Sequence, residues 1–235
     1  MGFLQDAISV FKKRELSFIK SELESDDVYS FYFDKDQDLS WKPGQYGLFS
    51  FTHKTIKNGT KPFSIASAPA ENVVKITTRI GDAPSEFKKA MQELSPGMKM
   101  KMSGPVGSFC LTDNRPSLLI AGGIGITPIR SIVKQIEAEG RGAGENLQLL
   151  YLDSRKAYLF KDELDGIASR LSIRVSYLDS KEDLHRKIDM FTSQYKDGNC
   201  FVAGPKPMVD SVSGYLQKNN VPKRNIKKDA FFGYS

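Results

Sequence analysis

The sequence predicts two consecutive domains: a small antiparallel β-barrel over residues 1–113 and a doubly wound parallel sheet over residues 114–235. The first half carries short runs of aromatic and β-branched residues separated by turn signals, which is typical of a barrel. The second half alternates short apolar runs with amphipathic helical patterns, which indicates repeated βα units. With 40% hydrophobic and 26% charged residues, the composition is that of a globular protein.

The first half predicts strands rich in aromatic and β-branched residues, and one strand in which methionine and lysine alternate with the period of a half-buried strand. These strands are Val28–Phe33, Gln45–Phe51, Val73–Ile80 and Met98–Met102. A helix is predicted at Ser85–Leu94, with Ser85 as its N-cap. Apolar spacing between Phe3 and Phe11 predicts another short helix, which docks on the body or forms an interfacial anchor.

The second half predicts an alternation of strands and helices that ends on a strand. The strands are Ser117–Ala121, Leu147–Leu152, Ile173–Leu178, Cys200–Ala203 and Ile226–Phe232. The helices are Thr127–Glu139, Phe160–Leu171, Leu184–Tyr195 and Met208–Lys218. Thr127 is expected to cap the first of these helices, with Pro128 in its first turn.

Charge and cysteine content exclude several classes of protein. The 34 basic and 28 acidic residues give a net charge of +6, which is too mild to indicate nucleic acid binding. Two cysteines and two histidines cannot build a disulfide scaffold or a metal site of those residue types. The longest apolar run, Ser117–Ile129, is too short to span a bilayer. We therefore expect a cytoplasmic protein with no metal and no integral membrane segment.

A glycine-rich loop lies between the first strand and the first helix of the second half. Gly122, Gly123 and Gly125 would let a ligand approach the backbone closely, and the following helix start offers free N–H groups to a phosphate. The alternative is a plain tight turn. A second strand end, Ala203–Met208, also carries small residues, so this strand end and the glycine loop could enclose a flat ring between them.

These motifs, in this order, resemble those of the ferredoxin–NADP reductase superfamily over nearly the whole chain. Lys61–Ser67 resembles the flavin-binding pattern R-x-Y/F-S-x-x-S, and Gly81–Ser85 is similar to the loop beneath the flavin pyrophosphate. Gly122–Pro128 matches the nicotinamide-nucleotide loop G-G-x-G-I-T-P. Ala203–Pro205 stands where the family has C-G-P, and Asp229–Phe231 is similar to its terminal acid-x-aromatic.

The resemblance implies a flavin-binding barrel followed by a Rossmann-like NAD(P)-binding domain whose last strand returns to the flavin. It implies an NAD(P)H-dependent flavoprotein reductase that uses FAD, with FMN left open, and NADPH or NADH as co-substrate. Electrons would pass to a small acidic electron-carrier protein or to a small molecule, since the chain has no four-cysteine iron–sulfur signature. The alternatives are an electron-transfer subunit of a larger complex, or a nucleotide-sensing module that has lost catalysis.

Three residues carry catalytic roles in this interpretation. The Ser64 hydroxyl can both donate and accept, so it suits the flavin N5 in both redox states. Asp229 would be the acid near the reactive rings, and Phe231 an aromatic lid that nicotinamide displaces. The alternatives are a strand serine that bonds to the backbone and a hydrophobic C-terminal strand in the core.

Further cofactor contacts follow from the same resemblance. On the flavin side they are Lys61, Pro62, Phe63, Ile65, Thr78, Ile80, Gly81, Pro84 and Ser85. On the nucleotide side they are Gly122, Gly123, Gly125, Thr127, Arg155, Ser180, Lys181, Arg186, Ala203, Gly204, Pro205 and Met208. Phe63 is alternatively barrel core. Lys61 replaces the family arginine and lacks its bidentate fork, and Ala203 replaces the family cysteine beside the nicotinamide.

Two charged segments bear on recognition. Ser180, Lys181 and Arg186 slightly favour NADP, whereas the three acids interleaved in Asp179–Asp183 would favour the NAD ribose. The basic residues between Lys223 and Lys228 would dock an acidic carrier, or are simply a solvated surface.

Overall fold

The computed structural model describes residues 13–140 and 146–231. By its contacts the chain divides into two compact units, Met1–Cys110 and Leu111–Ser235. The helix expected between Phe3 and Phe11 and the last residue of the strand expected at Ile226–Phe232 lie outside the described residues. None of the described helices is both long enough and apolar enough to cross a membrane.

The first unit contains a six-stranded antiparallel sheet in the order β4-β3-β6-β1-β2-β5, and one α-helix lies among its described residues, 13–110. The strands are β1 (Lys13–Ser25), β2 (Val28–Asp34), β3 (Tyr46–Phe51), β4 (Lys61–Ser64), β5 (Val73–Arg79) and β6 (Lys99–Val106). The helix is α1 (Glu86–Gln92), and its N-cap is Ser85 as predicted, since the Ser85 side chain accepts from the Lys88 amide. The antiparallel architecture of the first half is therefore confirmed.

Two of the six strands were not predicted. β1 is rich in lysine and glutamate and buries only Leu16 and Phe18, so it has little hydrophobic alternation to read. It forms a strand because β2 and β6 pair with it on both sides. β4 has four residues, one of them Pro62, and pairs only with β3 in the sheet. Strand pairing, rather than local sequence, defines both elements.

The two ends of this sheet are joined by a short piece of chain after β4, here called the closure segment (Ile65–Ser67). The Ala66 amide donates to the Lys75 carbonyl at 2.8 Å. The Ser67 hydroxyl donates to the Val73 carbonyl at 2.6 Å and accepts from the Lys75 amide at 2.9 Å. The sheet thereby closes between β4 and β5 around a core that includes Phe33, Phe49 and Met100.

The second unit is a five-stranded parallel sheet in the order β11-β10-β7-β8-β9. The strands are β7 (Ser117–Gly122), β8 (Leu147–Leu152), β9 (Arg174–Leu178), β10 (Asn199–Pro205) and β11 (Ile226–Phe231). The helices are α2 (Ile126–Ala138), α3 (Lys161–Leu171), α4 (Lys181–Gln194) and α5 (Lys206–Lys218). Strand order reverses between β7 and β10, and such a switch point is where open parallel sheets bind ligands, beyond the carboxyl ends of the strands.

Helices cover both faces of the parallel sheet, which confirms the doubly wound prediction. α4 and α5 pack on one face, where Ile188 and Val212 share a core with strand residues such as Ile120. α2 and α3 are joined by Arg130, whose Nε and Nη2 each donate to the Glu163 carboxylate at 2.7 Å. This ion pair fixes the helix that follows the glycine loop.

All four helix starts of the second unit differ from the predictions, since α3 begins at Lys161 rather than Phe160 and α5 at Lys206 rather than Met208. Thr127 is not the cap of α2, because the helix already begins at Ile126, after a 3-10 turn at Gly123–Gly125. The Thr127 hydroxyl donates to the Ile124 carbonyl at 3.1 Å instead. α4 begins at Lys181 rather than Leu184 because the Ser180 side chain caps it, accepting from the Asp183 amide. A cap hydroxyl thus adds a turn that apolar spacing alone does not mark.

Candidate functional site

Ser64 ends the edge strand β4, paired in register with Tyr46. Its side chain is only 7% exposed, although the strand lies at the edge of the sheet. Neighbouring strand residues point to opposite faces, so Ser64 lies on the face opposite to Phe63. Lys61 and Pro62 are exposed, whereas Ile65 is fully buried. The predicted flavin motif therefore turns from solvent to core within five residues.

The Phe63 ring lies in the barrel core. It packs edge-on against Phe49, with ring centroids 6.0 Å apart, and stacks against Phe87 at 5.8 Å. Ile80 belongs to the same core, and Thr78 is fully buried on β5. The alternative that Phe63 belongs to the barrel core therefore describes its side chain.

The loop Gly81–Ser85 is open on the surface. Nothing lies within 4 Å of the position that a Cβ on Gly81 would take. Arg79 lies two residues before Gly81, and its Nη1 donates to both carboxylate oxygens of Asp27 at 2.5 and 2.6 Å. Burial, and then the charge of Arg79, lower the pKa of the half-buried Lys88 amine, while Asp27 opposes this effect.

Arg79 and Lys88 are cations that the sequence analysis did not single out. Arg79 stands two residues before Gly81, the first residue of the predicted phosphate loop, and that position was the available signal. Asp27 forms an ion pair with Arg79 and opposes the lowering of the Lys88 pKa, so the two basic residues lie near each other beside one acid.

Two of the three glycines at the end of β7 are required by packing inside the second unit. A Cβ on Gly125 would lie 2.2 Å from the Ala203 carbonyl oxygen, and one on Gly122 would lie 2.0 Å from the Met208 sulfur. A Cβ on Gly204 would in turn meet the Gly122 oxygen at 3.0 Å. The two predicted strand ends therefore approach each other closely at these positions.

Gly123 differs from its neighbours because its backbone is left-handed, with φ of 51°, a conformation that favours glycine. The nearest atom to its Cβ position is Oδ2 of Asp153, at 3.9 Å. Asp153 follows β8, and its Oδ1 accepts from the Arg155 amide at 2.8 Å. This turn holds the backbone of Arg155 beside the glycine loop.

Strand register brings the predicted residues of the last strand to the same edge of the sheet. Ala203 on β10 pairs with Ala121 on β7 and with Asp229 on β11. Pro205 pairs with Phe231, two residues further along both strands. Asp229 and Phe231 are half-buried. The acid and the aromatic residue therefore lie beside the β7–β10 switch point.

The predicted coenzyme loop is largely engaged in internal contacts. The Ser180 hydroxyl donates to Asp183 at 3.0 Å, and Arg186 forms an ion pair with the same carboxylate at 2.6 Å. Lys156, which the sequence analysis did not single out, forms an ion pair with Asp179 at 2.7 Å. Its only sequence signal was its place next to Arg155.

The thiols and histidines add no second site. Within residues 13–140 and 146–231, no group of three or more His, Cys, Asp or Glu side chains could hold a metal ion. Cys110 and Cys200 are both buried, and burial raises the pKa of the Cys200 thiol to about 12. Such a thiol stays protonated at neutral pH, and Cys200 lies three residues before Ala203 on β10, paired with Leu118 and Ile226.

Comparisons with known proteins agree with both halves of the structure. The FAD-binding domain family model matches residues 10–123, and the oxidoreductase NAD-binding domain family model matches residues 119–214. Flavohemoprotein A of Dictyostelium discoideum is 27% identical over 244 residues, which cover 93% of this chain and 60% of that protein. The predicted FAD-binding and NAD(P)-binding domains are confirmed.

Other curated relatives are named as components of oxygenase systems. The ferredoxin reductase component of 3-ketosteroid-9-alpha-monooxygenase from Mycobacterium tuberculosis is 25% identical, covering 82% of this chain and 55% of that protein. The toluate 1,2-dioxygenase electron transfer component of Pseudomonas putida is 26% identical, covering 82% of this chain and 59% of that protein. The chain thus spans somewhat more than half the length of these relatives.

Solved structures share the fold of both domains. A ferredoxin NADP+ reductase from Neisseria gonorrhoeae with bound FAD and NADP gives a TM-score of 0.76 at 16% identity, covering 94% of this chain and 99% of that one. The flavohem-like FAD/NAD binding domain of nitric oxide dioxygenase from Vibrio cholerae gives 0.74 at 21% identity, covering 93% and 98% of the two chains. Both likenesses confirm the predicted fold class.

Proposed function

Because the chain belongs to the ferredoxin–NADP reductase superfamily, we propose that it is a flavoprotein reductase that oxidises NADPH or NADH and delivers electrons to a separate acceptor. The observation that carries this proposal is the presence of an FAD-binding and an NAD-binding domain in one chain. When bound, the flavin supplies the redox chemistry, taking a hydride from the nicotinamide and releasing electrons to the acceptor. The protein binds and orients both partners.

The first unit offers the groups that an anionic dinucleotide needs. Lys61 is exposed on β4, and Arg79 and Lys88 flank the open loop after β5. Charge-assisted hydrogen bonds from such cations to a pyrophosphate are stronger than neutral ones. Gly81 leaves space for close approach, because its Cβ position has no neighbour within 4 Å. These residues fit FAD, and we assign Ser64 as the hydrogen-bond partner of the reactive flavin nitrogen.

The second unit offers a nucleotide site at the switch point between β7 and β10. The left-handed Gly123 and the backbone of Arg155 would face the phosphates. Ala203 and Asp229, paired in register, would lie beside the nicotinamide, and the role of Asp229 is to hold a proton or a hydrogen bond near the reactive rings. Phe231 would cover the ring site until nicotinamide displaces it.

The acceptor we propose is a small acidic electron-carrier protein. Lys223, Arg224 and Lys228 are exposed, and Lys227 is half-buried, on the turn before β11 and on β11 itself. Such a basic surface would steer an acidic partner and make the association rate fall with salt. A small-molecule acceptor is the alternative, and it would show no such salt dependence.

A second candidate function is an electron-transfer subunit of a larger redox complex. The names of two relatives favour it, since both are components of oxygenase systems. In that case the chain would be reduced by its coenzyme but would pass electrons on only in the presence of the remaining component. A non-catalytic nucleotide sensor would not be reduced at all.

The experiment is an anaerobic titration of the purified, FAD-loaded protein with NADPH and NADH. We expect the flavin absorbance to be bleached by at least one coenzyme, and reoxidised by an acidic ferredoxin or flavodoxin. Failure of both coenzymes to bleach a tightly bound flavin would refute the reductase assignment. Bleaching without reduction of any carrier would favour the subunit.

Ser64 gives the sharpest variant in this assay. The change Ser64→Ala should slow bleaching about 10- to 100-fold, because it removes one hydrogen bond at the reacting atom. Ser64→Thr keeps the hydroxyl and should restore most of the rate. Ser21→Ala, on the exposed part of β1, is the matched control and should change nothing. Equal rates for Ser64→Ala and the wild type would remove Ser64 from the catalytic residues.

A further inference from the structure

The Lys156–Asp179 ion pair lies at the carboxyl edge of the parallel sheet, on the side of β7 away from the switch point. Asp179 directly follows β9, and Lys156 follows the turn after β8. The two strand ends are tied together, since the Asp153 amide donates to the Leu178 carbonyl at 3.1 Å. β8 is also the neighbour of β7, which carries the glycine loop. With its phosphates on that loop, a dinucleotide that extends across β8 toward β9 would bring its adenosine half to this ion pair.

Two of the cations that could bind an additional phosphate here are already paired, whereas Lys181 is exposed at the start of α4. Lys156 lies 2.7 Å from Asp179, and Arg186 lies 2.6 Å from Asp183. Ser180 uses its hydroxyl as both donor and acceptor toward Asp183. A 2′-phosphate brings about two negative charges to carboxylates that these groups now neutralise. It would have to break both ion pairs and leave the acids beside it.

A free ribose 2′-hydroxyl, unlike a 2′-phosphate, can bind here without breaking an ion pair. The Asp179 carboxylate is ionised at neutral pH, because its hydrogen bond to Lys156, and then the charge of Lys156, lower its pKa. An ionised carboxylate at the end of a parallel strand accepts well from a ribose 2′-hydroxyl. Lys156 can keep its ion pair when the hydroxyl binds. The half-buried Tyr158 adds no charge, since burial, and then the charges of Asp179 and Asp153, raise its pKa.

We propose that the Lys156–Asp179 ion pair sets the coenzyme preference of this chain and that the preferred coenzyme is NADH. This inference rests on the proposed function, because it concerns the coenzyme of the same reaction. Asp179 selects by accepting a hydrogen bond from the 2′-hydroxyl and by repelling a 2′-phosphate. Lys156 holds the carboxylate in place and limits how strongly it repels.

The test measures the dissociation constants of NADH and NADPH by calorimetry, on FAD-loaded protein whose flavin has been reduced beforehand with dithionite. No hydride can be transferred under these conditions, so binding is read apart from turnover. We expect NADH to bind about tenfold more tightly than NADPH, a ratio that corresponds to about 1.4 kcal/mol of like-charge repulsion.

Two variants should move this ratio in opposite directions. Asp179→Asn removes the repulsion and frees Lys156, so it should cancel or invert the preference. Lys156→Met leaves the Asp179 charge unpaired, so it should increase the preference for NADH severalfold. The control is Glu93→Gln, which breaks an exposed ion pair with Lys54 in the first unit and should leave the ratio unchanged.

Tighter binding of NADPH by the wild type would overturn the inference, as would a ratio that Asp179→Asn and Lys156→Met leave unmoved, or an absence of binding by both coenzymes. The proposed reductase function fails differently. If NADH binds with the expected selectivity but does not bleach oxidised FAD, the coenzyme selection stands and the reductase function falls.

Discussion

The two loops that resemble phosphate-binding motifs are built on opposite principles. In the first unit, the loop Gly81–Ser85 is open, and a Cβ on Gly81 would touch nothing. In the second unit, Gly122 and Gly125 lie where a Cβ would collide with Met208 and with the Ala203 carbonyl. Glycine at the end of a strand can therefore be demanded by the fold itself or left free for a ligand.

The difference changes what each motif says about function. The glycines of the second unit allow β7 and β10 to approach at the switch point, so they would be needed even without a coenzyme. The glycine of the first unit has no such internal reason. The G-G-x-G pattern of the second unit is therefore weaker support for coenzyme binding than it looks in the sequence, because packing already explains two of its glycines. The open loop Gly81–Ser85 is stronger support for a cofactor than this pattern is, because packing does not explain Gly81.

Gly125→Ala should give the largest effect on stability. The new methyl group meets backbone atoms of Ala203 and Gly204, which cannot rotate away, so we expect a loss of about 3 kcal/mol in the unfolding free energy. Gly122→Ala is the matched comparison, because it meets the end of the flexible Met208 side chain and should cost about 1 kcal/mol. Urea titrations followed by far-UV circular dichroism measure both. Equal losses would contradict the packing explanation.

Glu163→Gln should come next, because it weakens the anchor of the helix that follows the second loop. The Arg130 side chain is 6% exposed, and the variant replaces its charged, two-pronged partner with a neutral amide. We expect a loss of about 2 kcal/mol. Glu139→Gln, at an exposed contact with Gln135 on the same helix, should lie within about 0.5 kcal/mol of the wild type. A Glu163→Gln protein as stable as this control would show that Arg130 needs no carboxylate.

Ser67→Ala should have a smaller effect, confined to the first unit. Ser67 is fully buried and joins β4 to β5 through Val73 and Lys75, so losing its hydroxyl should cost about 1 kcal/mol. The rate of flavin reduction should stay close to that of the wild type once FAD is bound. The two serines of one motif would then divide into a structural and a catalytic group. A large loss of rate in Ser67→Ala with unchanged stability would reverse that division.

Gly81→Ala should have the smallest effect on stability, within about 0.5 kcal/mol, because the added methyl group enters open space. If FAD approaches this loop closely, the same methyl group should weaken FAD binding severalfold, as fluorescence titration would measure. Unchanged FAD affinity together with unchanged stability would mean that the loop does not contact the cofactor. The contrast with Gly125→Ala tests the comparison of the two loops directly.

The hydrophobic periodicity of the sequence predicted most of the strands and helices. The remaining strands form because of their pairing with neighbouring strands. Strands with strong alternation or apolar runs, such as Leu147–Leu152, were predicted to the residue. β1 was missed because lysines and glutamates dominate it and because its second half is largely exposed. β4 was missed because a four-residue strand containing Pro62 carries no periodic signal. Neither strand can be recognised without its partners.

The sequence predicted the motifs of the candidate site, but it did not predict the ion-pair and hydrogen-bond partners of the residues in them. The sequence indicated Ser180, Lys181 and Arg186, but it could not show that Asp183 engages two of them. Lys156 and Asp179 are far apart in the chain and meet only because β8 and β9 are neighbours. Arg79 and Lys88 likewise meet across a turn and a helix start. Charge neutralisation is a property of the fold that composition does not reveal.

The closure segment contains one backbone amide whose hydrogen exchange reports local opening of the barrel. The Ala66 amide, which bonds to the Lys75 carbonyl, lies two residues after Ser64. Each opening of the barrel at this point releases that amide to solvent, and hydrogen–deuterium exchange counts such openings. A ligand held by Ser64 would restrain the same piece of backbone, so its binding should slow the exchange of this one amide.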